Sequence, residues 1–118
     1  ADLLAMQKEV AGVFIHELMY RYIVDLAQAS RKDPRLALGL SPRASLALAG
    51  MARAAAYLAG RDFVAPQDVT AVFADEARHR LVLADQAKAG GETVDVVIDD
   101  LLRTVPRPRP EKADRHGR

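Results

Sequence analysis

The sequence predicts an all-α fold, a small bundle of four or five helices, on three observations. Half of the 118 residues are hydrophobic and many of these are alanine, while aromatics make up only 5%. Alanine, leucine, glutamate, lysine and arginine lose little on entering a helix, and alanine lets neighbouring helices approach closely. Apolar residues recur at three- and four-residue steps, and glycine and proline fall between the periodic stretches, where helices start and stop.

Each element follows from that pattern. Leu3, Leu4, Met6 and Val10 predict a short first helix. A second runs from His16 or Glu17 to Arg31, with Leu18, Met19, Tyr22, Ile23 and Leu26 on one face, and Pro34 closes it. Asp33 to Leu40 reads as a loop whose Leu36, Leu38 and Leu40 tuck onto the core. The third helix spans Pro42 to about Ala59, with Leu46, Ala49, Ala52, Ala56 and Leu58 or Ala59 inward, and Gly60 is the expected left-handed stop. Arg61 to Ala65 form an extended link anchored by Phe63 and Val64. Pro66 opens a fourth helix with Val69, Val72, Phe73 and Ala77 inside, ending between Arg80 and Leu83. Gly90 and Gly91 break the chain, and Thr93 caps a last helix, Val94 to Arg103, that buries Val97, Ile98, Leu101 and Leu102. Residues 1–105 are thus one helical domain, and 106–118, opened by Pro106, Pro108 and Pro110, are expected to be a disordered basic tail.

Composition narrows the function. Without cysteine there is neither a disulfide framework nor a thiolate metal site. No apolar run approaches the ~20 residues of a membrane span. Asp2, Lys8 and Glu9 interrupt the opening residues, which is not a signal-peptide pattern. The chain starts inside an amphipathic pattern, as expected for a piece of a longer protein. Residues 104–118 hold five basic side chains against Glu111 and Asp114, a net +3, so the overall +1 leaves −2 for the body. A slightly acidic body makes nucleic acid an unexpected partner.

The side chains that usually carry chemistry are scattered. His16, His79 and His116 lack companions at metal-ligand spacing; His16 with Glu17 and His79 with Glu76 are local pairs. Asp99 and Asp100 read as a solvated face, and Ser41 and Ser45 have no base near them in sequence. A glycine-rich phosphate loop followed by Lys-Ser or Lys-Thr is missing. The chain alone is not expected to hydrolyse anything.

One motif stands out: Gly39-Leu40-Ser41-Pro42-Arg43-Ala44. Ser41 can cap a helix, and Pro42 at its first position gives up no needed donor. Arg43 then projects from the helix end that favours an anion, with a planar fork of donors matching phosphate oxygens. Local physics leaves open an ordinary surface arginine paired with Asp33 or Glu17.

The run Tyr22-Ile23-Val24-Asp25-Leu26, Ser30-Arg31, Pro34, the Gly39–Ala44 motif, Gly60-Arg61-Asp62-Phe63-Val64-Ala65-Pro66-Gln67-Asp68-Val69 and His79-Arg80 resembles the C-terminal lid domain of MoxR-family AAA+ ATPases. The resemblance covers nearly all of residues 6–106. It implies a helical lid over ATP, with Mg2+ held by an upstream AAA+ core, and a fragment that binds nucleotide weakly by itself. It implies Arg43 as the sensor-2 residue that reaches the γ-phosphate, with Ser41 and Pro42 as helix-start support. It further implies a cytoplasmic homo-oligomeric ring, a hexamer, that remodels or matures protein complexes beside partners with a von Willebrand factor A domain. Two positions depart from the family pattern: Leu40 stands where alanine is usual, and Ala65 where a capping threonine is usual. Arg61 and Asp62 read as a charged pair bracing the link, and Arg31 and Arg80 as structural. The competing readings are a histone-fold-like DNA-binding or dimerisation module and a plain protein-interaction bundle.

Overall fold

A computed structural model describes residues 3–108; the expected disorder of the tail beyond Pro108 lies outside the described residues. The chain forms α1 (Leu3–Ala11), α2 (Glu17–Lys32), β1 (Leu36–Leu38), α3 (Pro42–Leu58), α4 (Pro66–Arg80), β2 (Val82–Leu83), α5 (Asp85–Ala89) and α6 (Val94–Thr104). The expected helical bundle is there. To it the structure adds the short α5 and an antiparallel two-stranded ribbon, pairing Leu36 with Leu83 and Leu38 with Val82 across an irregular register.

The core lies where α2, α3, α4 and α6 meet. From α2 come Met19, Tyr22, Ile23 and Leu26, from α4 Val69, Phe73 and Ala77, and from α6 Val97, Ile98 and Leu101, all nearly inaccessible. Burying one large apolar side chain contributes roughly 1.5–3 kcal/mol, so this cluster is the main driving force of the fold. The middle of α3 supplies Leu48, Ala49, Ala52 and Ala56; its alanines let the packed helices come close. Helix α1 lies against α3 and buries no residue fully.

Two inward assignments on α3 are corrected. Leu46 and Leu58 are 63% and 79% exposed, and Leu48, 1% exposed, takes the core position. Leu46 sits two residues, about 200° of helical rotation, from Leu48, so both cannot face one core. The alanine-rich pattern left that rotation ambiguous. Leu38 is also 58% exposed although Leu40, two residues on, is buried: the ribbon register is irregular between Leu36 and Leu38 and β1 ends at Leu38, so the two-residue alternation that would put both on one face is not kept.

Helix starts are set by local chemistry. The Ser41 hydroxyl accepts the Ala44 N–H at 3.1 Å, and Thr93 accepts the Val96 N–H at 3.2 Å. His16 caps α2 by accepting the Leu18 N–H on Nδ1 at 3.0 Å rather than pairing with Glu17. Gly60 ends α3 at φ +82°, a left-handed conformation that a Cβ penalises.

Candidate functional site

The Gly39–Ala44 motif crosses from the β1 end of the ribbon into the first turn of α3. Ser41 is its N-cap in extended conformation, Pro42 follows at the first helical position, and Arg43 is exposed one residue further on. The first turn of α3 contains no acidic residue.

Neither local partner suggested for Arg43 engages it. Asp33 accepts from Arg35, at 3.0 Å from Nε and 2.8 Å from Nη2, and Glu17 is paired with Arg21 at 3.0 Å. Among the described residues Arg43 has no hydrogen-bond or ion-pair partner. A guanidinium left free at the positive end of a helix dipole is in an unfavourable place unless an anion joins it.

The start of α3 borders a hollow that Arg43 itself does not line. This pocket of about 210 Å³ is lined by Leu38, Gly39, Leu40, Ser41, Ala44 and Arg80. Arg80, which lines this pocket, is bonded to Glu76 one turn back, so the expected His79–Glu76 pair is replaced by Arg80–Glu76. Along α3 the face that carries Arg43 continues through exposed Leu46, Ala47 and Gly50. Gly50 then borders a second hollow of about 380 Å³ between α1 and α3, with Met6, Val10 and Ala54.

The motif is held from behind by the last turn of α2. The Leu40 N–H donates to Ser30 Oγ at 2.9 Å, and Arg31 Nη1 donates to the Leu40 carbonyl at 2.5 Å. A Cβ on Gly39 would stand 2.7 Å from the Arg31 Cα, so only glycine fits the crossing.

Other charged residues depart from their sequence assignments. Arg61 does not brace Asp62; it grips Asp68 through two hydrogen bonds of 2.5 and 2.8 Å and stands 5.9 Å over the Phe63 ring. Asp62 is exposed, and its carbonyl accepts the Phe14 N–H at 2.8 Å. Asp100 is not a free solvated acid: it joins Arg35 at 2.7 Å and also bonds Arg103. Arg35 thereby ties Asp33, at the end of α2, to α6, and these hydrogen bonds hold the carboxyls of Asp33 and Asp100 below the usual aspartate range. The Arg35–Asp100 bond leaves no sequence signal, because 65 positions separate the partners. Asp68 did leave one, an acid three residues after the link end Ala65, the spacing at which a side chain reaches back to a capping N–H.

Among the described residues no group of three or more acidic or histidine side chains is placed to hold a metal ion. No helix among them is long and apolar enough to cross a membrane.

Residues 28–101 match the family described as the AAA lid domain. The chain is similar to the chaperone MoxR1 of Mycobacterium tuberculosis, at 39% identity over 98% of this chain and 33% of that protein. It is 34% identical to the protein MoxR of Paracoccus denitrificans, over 83% of this chain and 33% of the relative. A crystal structure of a candidate ATPase from Cytophaga hutchinsonii superposes with a TM-score of 0.81 at 30% identity, covering 90% of this chain and 35% of that one. The chain thus spans about a third of the length of the relatives it matches.

Proposed function

The chain belongs to the AAA lid domain family, in the MoxR group of AAA+ ATPases, and from that premise we propose that it closes over ATP held by a separate ATPase core of the same protein. Residues 1–105 are the lid and 106–118 a Pro/Arg-rich extension. Arg43 is its sensor-2 residue. The single observation that carries this reading is the exposed guanidinium of Arg43, free of partners among the described residues, in a helix turn that lacks any acid.

The donor set fits a triphosphate. Arg43 offers a planar fork of N–H groups, and the start of α3 contributes a positive dipole end beside it. Bound ATP supplies a γ-phosphate whose charge redistributes during hydrolysis, with Mg2+ held by the core. The chain's own share is to point Arg43 at that charge, with Ser41 and Pro42 fixing the turn it stands on. Closure is a rigid-body movement of the lid onto the core, in keeping with a domain whose buried centre leaves little freedom for internal rearrangement. The apolar strip of Leu46, Ala47 and Gly50 beside Arg43 is the surface such a core would cover.

In the wider reading the full protein is a cytoplasmic ring, a hexamer, that uses hydrolysis to remodel or mature other protein complexes beside a von Willebrand factor A domain partner. The description of the Mycobacterium relative as a chaperone supports the remodelling role. The test is Arg43→Ala in the full-length protein. The expected result is an intact fold with steady-state ATP turnover lowered roughly tenfold or more, the scale of losing a charge-stabilising donor. Unchanged turnover would remove the sensor role.

A further inference from the structure

Leu40 stands one residue before the cap of α3 and three before Arg43, and consecutive residues of α2 hold both of its backbone polar groups. Its N–H donates to Ser30 Oγ at 2.9 Å, while the Ser30 hydroxyl donates to the Ala27 carbonyl at 2.7 Å. Its carbonyl accepts from Arg31 Nη1 at 2.5 Å. The Leu40 side chain is 1% exposed, and Ser30 is fully buried. On the other side Gly39 lies so close that an added Cβ would sit 2.7 Å from the Arg31 Cα and N and from the Ser30 carbonyl carbon.

We propose that Arg31, working with Ser30, is a positioning residue that fixes where Arg43 stands. This rests on the sensor reading of Arg43 given above. An exposed arginine is usually free to point into water, yet this one makes a charge-assisted bond to a neutral backbone carbonyl nine residues away. Between that carbonyl and Arg43 there is little slack. The Ser41 side chain is committed to the Ala44 N–H at 3.1 Å, and Pro42 has its φ fixed by its ring. A shift of Leu40 is therefore passed to the first turn of α3 rather than absorbed in a hinge. Arg31 acts on the site only through this backbone, whereas Arg43 is the group that faces outward.

The test is a double-mutant cycle in the full-length protein, reading ATP turnover and thermal midpoint. Arg31→Met keeps the aliphatic stem and removes the donor. It is expected to lower turnover roughly tenfold, within the range in which small misplacement of a catalytic group acts, and to lower the midpoint by no more than a few degrees, the scale of one lost hydrogen bond. Arg31→Lys retains one donor and recovers part of the rate. On an Arg43→Ala background, Arg31→Met slows turnover no further, since its effect has nothing left to act through. If Arg43→Ala is slow but Arg31→Met is either harmless or multiplies the loss in the double variant, the positioning role is overturned and the sensor role stands. If Arg43→Ala alone leaves turnover unchanged, both fall together.

Discussion

Arg61 and Asp68 form a two-pronged ion pair, Nη1 to Oδ2 at 2.5 Å and Nη2 to Oδ1 at 2.8 Å, and Asp68 Oδ2 also accepts the Ala65 N–H at 2.8 Å. One carboxylate therefore ties the α3–α4 link to α4 and closes the first turn of α4. Ala65 has no side-chain oxygen with which to cap that helix, and the reach-back from Asp68 supplies the remaining half of the arrangement.

Asp68 is only 5% exposed, so Asp68→Ala would strand the half-buried Arg61 and leave the Ala65 N–H without its acceptor. The expected loss is about 2–4 kcal/mol, somewhat below the range for breaking a fully buried pair, because Arg61 keeps some contact with water. Urea unfolding of the isolated domain checks it. A loss under half a kcal/mol would mean that the pair is ornamental.

The rotation of α3 can be tested by truncating two leucines two positions apart. Leu48→Ala removes a buried side chain and is expected to cost about 2–5 kcal/mol. Leu46→Ala removes one that faces outward and is expected to stay within about 0.5 kcal/mol of the parent. The reverse order in thermal or chemical unfolding would contradict the helix rotation described above.

Arg43→Ala has a defined sign in the isolated domain. A lone cation in the first turn of a helix opposes the dipole, so its removal should be neutral or stabilise by about 0.3–1 kcal/mol. A clear loss of stability on denaturation would reveal a structural contact for Arg43, contrary to its free position.

Acid should weaken the Arg35 cluster. Its hydrogen bonds hold Asp33 and Asp100 below the ordinary aspartate value, so at low pH the unfolded chain binds protons that the folded chain does not. The stabilisation is complete above the unfolded value, near pH 3.9, and is lost as pH falls through the lower folded values. In Arg35→Met that part of the acid sensitivity should disappear. Unfolding midpoints at pH 7 and pH 3 for the two proteins check it, and an equal drop in both would contradict the assignment.

Much of the fold could be read in advance because it depends on short-range rules. Ser41, Pro42 and Thr93 mark helix starts through groups that act within one turn, and Gly60 marks a stop through its own backbone freedom. The face of α2 was legible because large side chains sit at helical spacing, whereas α3 is mostly small residues, and a stripe of alanines fixes no rotation. The β1–β2 ribbon was missed for a different reason. Its strands are three and two residues long, too short to display an alternation.

The site divides along the same line. The chain itself determined that an arginine would follow a capped, proline-started helix turn, since the cap, the ring and the charge are properties of three adjacent residues. The structure decided that, among the described residues, this arginine has no partner: the acids suggested for it, Asp33 and Glu17, pair instead with Arg35 and Arg21, two and four residues from them. Packing also decided that α2 grips the backbone behind it. Only packing decided that Arg35 also meets Asp100, because that depends on which side chains converge from distant positions, and a charge carries no mark in the sequence of the partner it will meet.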